Sequence, residues 1–128
     1  MRLLLDTHAF IWWASEPERL SEKALAACVD TSNVLILSVA SVWEMQIKLQ
    51  LGKLTLSHPL SDLIENQQQA NRLEVLPIGL SHVLALAALP AHHKDPFDRL
   101  IIAQAVEEGA YLVSGDSVFR LYPGRLIW

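Results

Sequence analysis

Four of the fourteen acidic residues stand at positions where a solvated surface carboxylate is not expected. Asp6 directly follows three leucines, and Asp116 follows a short apolar run that ends at Val113. Glu44 and Asp98 each interrupt an apolar stripe of a predicted helix. These four carboxylates are therefore the candidates for a site whose chemistry depends on negative charge.

Asp6 and Asp116 are each predicted to lie just beyond the end of a strand. In open parallel sheets, ligands bind beyond the C-terminal ends of the strands. That placement favours a functional role for both residues. The alternative is that each acid only caps the turn or helix that follows, because Asp is a favoured N-cap residue.

Glu44 and Asp98 are placed on inward-facing stripes by the apolar residues spaced three, four and seven positions away. A buried charge without a partner costs several kcal/mol, so an inward carboxylate needs a cation. Two alternatives remain open. Glu44 could form an exposed pair with Lys48 one turn later. Asp98 could stabilise the helix dipole, although Asp95 is the better candidate for the N-cap.

A cluster of carboxylates would take up protons unless a cation neutralised it. Hard oxygen ligands favour Mg²⁺ or Mn²⁺, which activate water and stabilise the in-line displacement of a phosphoryl group. We predict one or two such ions, with Asp6 and Asp98 as direct ligands and the other two acids binding directly or through water. The hydroxyls of Thr7 and Ser114 could orient carboxylates or water, or they could make ordinary turn hydrogen bonds.

Strands and helices alternate along the chain, which predicts one α/β domain over residues 1–128 with a central parallel sheet of four to five strands. The predicted strands are 3–5, 34–37, 73–78 and 111–113, with 126–128 as a fifth at an edge. The predicted helices are 7–14, 21–28, 38 or 41 to 51, 57–71, 81–89 and 96–109.

Composition limits the class of protein. The formal net charge of −4 is unlike the basic footprint of a protein that holds nucleic acid by charge alone. The single Cys28 excludes an internal disulfide and a multi-cysteine zinc site. No signal peptide and no apolar run of about 18 residues is present, so we expect a cytoplasmic protein without a membrane anchor.

Two other groups of side chains suggest alternative sites. His92 and His93 suggest a transition-metal site, but no third nitrogen or sulfur ligand stands at a suitable spacing. Trp12, Trp13 and Trp43 are explained by core packing, or alternatively by a groove for a partner's amphipathic helix or by a dimer contact.

Four segments of the chain, in order, resemble the PIN-domain nucleases and specifically the VapC-type toxins of bacterial toxin–antitoxin pairs. These segments are Leu3–His8, Ser41–Glu44, His92–Ala105 and Leu112–Asp116. The resemblance implies a three-layer α/β/α fold, a Mg²⁺ or Mn²⁺ cofactor and endoribonuclease activity on RNA. It also implies a homodimer and inhibition by a cognate antitoxin protein. Asp6, Glu44, Asp98 and Asp116 match the four acids of the family pattern.

The chain departs from the family pattern at two positions. Gly115 is smaller than the residue often found there, which predicts a looser turn. Asp95 is an additional acid, interpreted as an N-cap or as a supporting group near the metal.

Basic residues that could contact RNA phosphates are Lys48, Lys94 and Arg99, although Arg99 could instead pair with Asp95. Two competing functions are considered. An aspartyl-nucleophile phosphatase would need a second Asp two residues after the first, where this chain has His8. The other is a non-catalytic α/β module that binds a partner, against which the presence of all four acids argues.

Overall fold

The computed structural model describes residues 1–91 and 95–128, so His92, His93 and Lys94 lie outside the described residues. The strands are β1 (Arg2–Leu5), β2 (Val34–Ser38), β3 (Glu74–Leu76), β4 (Tyr111–Val113) and β5 (Arg125–Ile127). The α-helices are α1 (Thr7–Ser15), α2 (Glu22–Val29), α3 (Val39–Gln50), α4 (Leu60–Asn71), α5 (Leu80–Ala85) and α6 (Pro96–Glu107). Short 3₁₀ turns span Pro17–Arg19, Leu86–Ala88 and Ser117–Leu121.

The strands form one parallel sheet in the order β3-β2-β1-β4-β5. The predicted α/β class is confirmed, and the predicted fifth strand pairs with β4 at an edge. No helix in the described ranges is long and apolar enough to cross a bilayer.

The largest differences from the predicted elements concern their ends. The helix predicted from 57 begins at Leu60, because the extended backbone of Pro59 serves as its N-cap. The third strand is shorter than predicted and pairs with β2 over three residues only. The helix predicted from Ser81 begins at Leu80 and ends at Ala85, where a 3₁₀ turn continues the chain.

The three leucines of β1 are buried because the sheet has apolar layers on both faces. Leu3 and Leu5 belong to one core cluster, which includes Phe10 of α1. Leu4 belongs to the other, which includes Ile101 of α6. A continuous apolar run therefore forms a strand covered on both sides.

The parallel register aligns the C-terminal ends of β1, β2 and β4. Asp6, Ser38 and Ser114 lie at these ends, so the topology places them along one edge of the sheet. The backbone N–H of Asp6 extends the pairing by donating to the carbonyl of Val113 at 3.0 Å. This edge is where the sequence predicts the site.

Gly115 lies against the indole of Trp128. A Cβ atom added at Gly115 would stand 2.9 Å from two carbon atoms of that ring. Trp128 in turn contacts Trp12 of α1, with ring centroids 5.8 Å apart. The small residue was predicted to loosen the turn before Asp116, but the structure shows that its missing side chain leaves room for close packing instead.

The Gly115→Ala variant is expected to lose about 1–3 kcal/mol of unfolding free energy, because an overpacked site must shift. In the Trp128→Leu background the same substitution should cost clearly less, since the ring that meets the Cβ is gone. Urea unfolding of the four proteins of this double-mutant cycle measures the difference. Gly79→Ala is the control, because its added Cβ meets only ordinary contacts at 3.6 Å or more. Additive effects at Gly115 and Trp128 would contradict the assignment.

Candidate active site

Asp6 joins the end of β1 to the start of α1 and is 7% exposed. Its Oδ1 atom accepts a hydrogen bond from the backbone N–H of Ala9 at 2.7 Å, so the residue is the N-cap of α1. The buried Ser114 hydroxyl lies near this carboxylate and acts to lower its pKa. The capping role considered from the sequence is therefore correct, and it coexists with burial at the functional edge.

The pKa of Asp6 is raised above its usual value, chiefly because burial removes the carboxylate from water. The Ser114 hydroxyl and the hydrogen bond from Ala9, together with the charge of His8, act in the opposite direction. The nearby negative charge of Glu44 raises the pKa further. This environment favours either a protonated Asp6 or a cation bound next to its carboxylate.

Glu44 is 6% exposed and points into the protein from α3. Its Oε1 atom accepts a hydrogen bond from the hydroxyl of Thr7 at 2.6 Å. Its Oε2 atom accepts one from the ammonium of Lys48 at 2.8 Å. Glu44 is therefore an inward carboxylate, and the pair with Lys48 is present but is not the exposed pair considered from the sequence.

Asp98 lies in the first turn of α6 and is half-buried. Asp95 is the N-cap of this helix, and its Oδ1 atom accepts from the backbone N–H groups of Phe97 at 2.8 Å and Asp98 at 3.1 Å. The ring of Phe97 packs edge-on against Trp43 of α3, with centroids 5.1 Å apart. This contact holds the first turn of α6 beside the helix that carries Glu44.

Asp116 is exposed and forms the N-cap of the 3₁₀ turn that follows β4. Its Oδ1 atom accepts from the backbone N–H of Val118 at 3.1 Å. Its own N–H donates to the Ser114 hydroxyl oxygen at 3.1 Å. Ser114 therefore links the segment of Asp116 to the buried carboxylate of Asp6.

The structure joins Asp6, Thr7, Glu44, Lys48 and Ser114 into one connected group. Within residues 1–91 and 95–128, however, no three carboxylate, imidazole or thiol groups are arranged to hold an ion as they stand. Both Glu44 oxygens accept hydrogen bonds, and one oxygen of Asp116 caps a turn. The metal site with four carboxylates remains a prediction.

Arg99, a second basic candidate, is bound to backbone carbonyls outside this group. Arg99 donates to the carbonyl oxygens of Pro90 at 2.9 Å and Leu86 at 3.4 Å, so it holds the segment between α5 and α6. Lys94 lies outside the described residues. Arg99 therefore has a structural role that the sequence did not indicate.

A buried polar network behind the site was not predicted. Gln104 of α6 is fully buried, and its Oε1 atom accepts from the hydroxyl of Ser38. Its amide nitrogen donates to the carbonyl of Pro77 at 3.2 Å. Ser38 is also the N-cap of α3, because its oxygen accepts from the N–H of Ala40 at 3.0 Å. The one available signal was a glutamine within the apolar stretch of α6.

Asp6→Asn is expected to stabilise the metal-free protein at neutral pH, by about 1 kcal/mol or a few degrees in Tm. The amide keeps the cap to Ala9 but carries no buried charge. Because the folded-state pKa is raised, the cost of ionising Asp6 accumulates as the pH rises from the unfolded to the folded pKa. The added stability of Asp6→Asn over the wild type should therefore reach its full size above the pKa that Asp6 has in the folded protein. It should vanish below about pH 4, which is the usual pKa of an unfolded Asp.

Thermal unfolding in a chelator across this pH range measures the effect of Asp6→Asn. The exposed Glu65→Gln of α4 is the matched control, and its Tm should change little at any pH. A lower Tm for Asp6→Asn at neutral pH would show that the ionised carboxylate stabilises the fold.

The sequence matches the PIN domain family over residues 3–124. It is 34% identical over 119 residues to ribonuclease VapC22 of Mycobacterium tuberculosis, covering 92% of this chain and 89% of that protein. The fold is similar to a chain in the structure of VapBC2 from Rickettsia felis bound to a promoter DNA fragment, with a TM-score of 0.74 and 17% identity over 98% and 97% of the two chains.

A second similar chain comes from the structure of DNA-bound VapBC from Salmonella typhimurium. Its TM-score is 0.68, with 20% identity over 98% of this chain and 96% of that chain. These structural similarities agree with the match to the sequence family over nearly the whole chain. The chain therefore belongs to the PIN domain family, in which it groups with the VapC proteins.

Proposed function

We propose that this protein is a divalent-metal-dependent endoribonuclease, the toxin of a toxin–antitoxin pair, which hydrolyses phosphodiester bonds in RNA. The observation that carries the proposal is the pair of buried carboxylates, Asp6 and Glu44, at the C-terminal edge of the sheet. The relative with 34% identity is a ribonuclease by name, which supports the same chemistry. A site that buries negative charge and raises the pKa of Asp6 is suited to a cation.

The proposed donor set fits Mg²⁺ or Mn²⁺, because the candidate ligands are carboxylate oxygen atoms. We infer that Asp6 and Asp98 would bind the ion directly, and that Glu44 and Asp116 would act through water or complete a second site. A bound ion supplies an activated water and charge neutralisation when a phosphodiester is attacked in line.

The chain's own residues prepare the site for such an ion. The Ala9 N–H holds the Asp6 carboxylate in one orientation, with the Ser114 hydroxyl nearby. The Thr7 hydroxyl does the same for Glu44. Oriented ligands bind metal more tightly, because less freedom is lost on binding. We propose that RNA is cut in the cytoplasm, where both the substrate and an antitoxin partner would be found.

The antitoxin is the proposed protein partner, because the similar structures are VapBC complexes. A groove of about 650 Å³ runs beside the C-terminal end of α2 and is lined in part by Trp13, Cys28, Val29 and Arg72. Burial raises the pKa of the Cys28 thiol to about 11, so this residue contributes apolar surface rather than reactivity. Polar side chains also line the groove, among them Asp30, Asn33, Asn71 and Glu74. We therefore propose it as a contact for an antitoxin segment that carries both apolar and polar side chains.

We also propose a homodimer, because large apolar side chains of two helices are exposed. Leu80 and Leu84 of α5 are 74% and 65% exposed, and Trp43 of α3 is 57% exposed. Large apolar side chains exposed to water mark candidate interaction surfaces. Leu80 and Leu84 lie one turn apart on α5 and so form one apolar stripe. A second copy of the chain would cover them.

RNA cleavage by Asp6→Asn and Asp98→Asn with Mg²⁺ or Mn²⁺ is expected to fall at least about 100-fold, because each substitution removes a proposed ligand. Asp62→Asn, an exposed acid in the first turn of α4, is the control and should retain the wild-type rate. Full activity in both variants would refute the assignment.

The thermal shift with Mn²⁺ separates an enzyme from a non-catalytic partner-binding module. An ion that binds only the folded state adds about 2.7 kcal/mol to the free energy of unfolding when its concentration is 100 times its Kd. This added stability raises Tm. The wild-type protein should show this shift and Asp6→Asn should not. The absence of any shift in the wild type would favour the binding module.

Replacing Leu84 of α5 by Glu is expected to weaken the homodimer at least tenfold, because a charge would be buried at the contact. Light scattering with size-exclusion chromatography at several protein concentrations measures the dissociation. Leu121→Glu is the control, since Leu121 is equally exposed but lies in the 3₁₀ turn after β4. An unchanged dimer in Leu84→Glu, or a monomeric wild type, would contradict the proposed surface.

A further inference from the structure

We propose that Lys48 is the phosphate-binding cation of the active site, and that Glu44 is the residue that positions it. In this assignment the Lys48 ammonium contacts the phosphate of the RNA where cleavage occurs. The inference rests on the proposed ribonuclease function and assigns a role within that same site.

The first argument is the unequal burial of the ion pair. The Glu44 side chain is 8% exposed, whereas that of Lys48 is 36% exposed, and their charged atoms are 2.8 Å apart. An ordinary pair one helical turn apart lies on the surface and contributes only a few tenths of a kcal/mol. Here the glutamate side chain is buried while the lysine side chain is partly exposed. Glu44 therefore acts as a buried anchor that holds a partly exposed positive charge.

The second argument is that Glu44 itself is fixed. Thr7, which is adjacent to Asp6, donates to the other oxygen of Glu44 at 2.6 Å. The carboxylate is thus bound on one side to the loop after β1 and on the other to Lys48. Because Thr7 directly follows Asp6 in the chain, this hydrogen bond ties the helix that carries Glu44 and Lys48 to the segment that carries Asp6.

The third argument concerns the donors that Lys48 has available. An ammonium has three N–H groups, and in the described part of the chain the hydrogen bond to Glu44 is the one recorded for it. Arg99, by contrast, is engaged with two backbone carbonyls. Lys48 forms an ion pair with Glu44, one of the candidate site acids.

The chemistry requires positive charge, and the formal net charge of −4 gives the protein no general excess of it. In hydrolysis, the oxygen of water forms a bond to phosphorus and the bond from phosphorus to the leaving ribose oxygen breaks. Water gives up one proton and the leaving oxygen gains one, so no redox partner is needed. In the transition state the phosphoryl oxygens gain negative charge. A fixed ammonium stabilises that charge without exchanging a proton.

The test compares Lys48→Gln, Lys48→Arg and Glu44→Gln with Lys23→Gln, an exposed lysine of α2 that serves as the control. Single-turnover cleavage should fall about 100-fold in Lys48→Gln, as for the loss of one transition-state donor. Lys48→Arg should cleave about tenfold faster than Lys48→Gln, because it keeps a positive charge. Glu44→Gln should lose at least as much rate as Lys48→Gln, because it releases the ammonium and also alters a carboxylate proposed for the metal site. The double variant should be no slower than Glu44→Gln alone, since the two residues act as a unit.

Mn²⁺ affinity, measured by electron paramagnetic resonance, separates this role from support of the metal site. It should change less than about threefold in Lys48→Gln while the rate falls. A parallel loss of Mn²⁺ binding or of Tm would overturn the proposal, and so would a cleavage rate equal to that of Lys23→Gln.

RNA binding gives a readout that is independent of turnover. In the Asp6→Asn background, the plot of log affinity against log salt should become shallower by about 0.7 when Lys48 is replaced by Gln, as expected for one phosphate contact on single-stranded RNA. An unchanged slope would overturn the proposal. If the wild-type protein cut no RNA but Lys48→Gln still made the salt dependence shallower, the proposed ribonuclease function would be refuted. The phosphate contact of Lys48 would stand.

Discussion

Two carboxylates held out of water, those of Asp6 and Glu44, are the constraint on which the rest of the site depends. Each must be compensated, because an uncompensated buried charge destabilises a fold by several kcal/mol. Asp6 is compensated by the N–H of Ala9 and the hydroxyl of Ser114, and its pKa remains raised. Glu44 is compensated by a hydroxyl and an ammonium. The incomplete compensation of Asp6 is what makes a cation favourable there.

The rest of the chain holds these carboxylates in place. The sheet is apolar on both faces, so its parallel strands end together at a well-defined edge. Behind that edge, Gln104 connects α6 to the N-cap of α3 through Ser38. The contact between Trp43 and Phe97 connects the same two helices on the outer side. Two independent contacts thus fix the helix that carries Glu44 relative to the one that carries Asp98.

Membership of the PIN family and this geometry support the same function from different directions. The family relation accounts for the order of the four acidic segments along the chain. The geometry adds what a motif does not contain, which is the hydrogen-bonding state of each acid. Glu44 is engaged by Thr7 and Lys48, so we assign it a different role from Asp6, whose carboxylate is buried without an ammonium partner in the described residues.

The sequence by itself determined the alternation of strands and helices, the buried character of β1 and the four candidate acids. These follow from local rules, since an apolar run of Leu3 to Leu5 suits only a strand covered on both faces, and helical spacing places Glu44 on an inward stripe. It also anticipated Asp95 as an N-cap, because capping depends on residues within one turn.

Only the tertiary structure decided which distant groups meet. The hydrogen bond from Thr7 to Glu44 spans 37 positions and that from Ser38 to Gln104 spans 66, so no local pattern contains them. The space beside Gly115 is likewise filled by Trp128, at the far end of the described chain. Such contacts depend on how whole elements pack, and packing is set by the sum of many apolar contacts rather than by the residues that happen to touch.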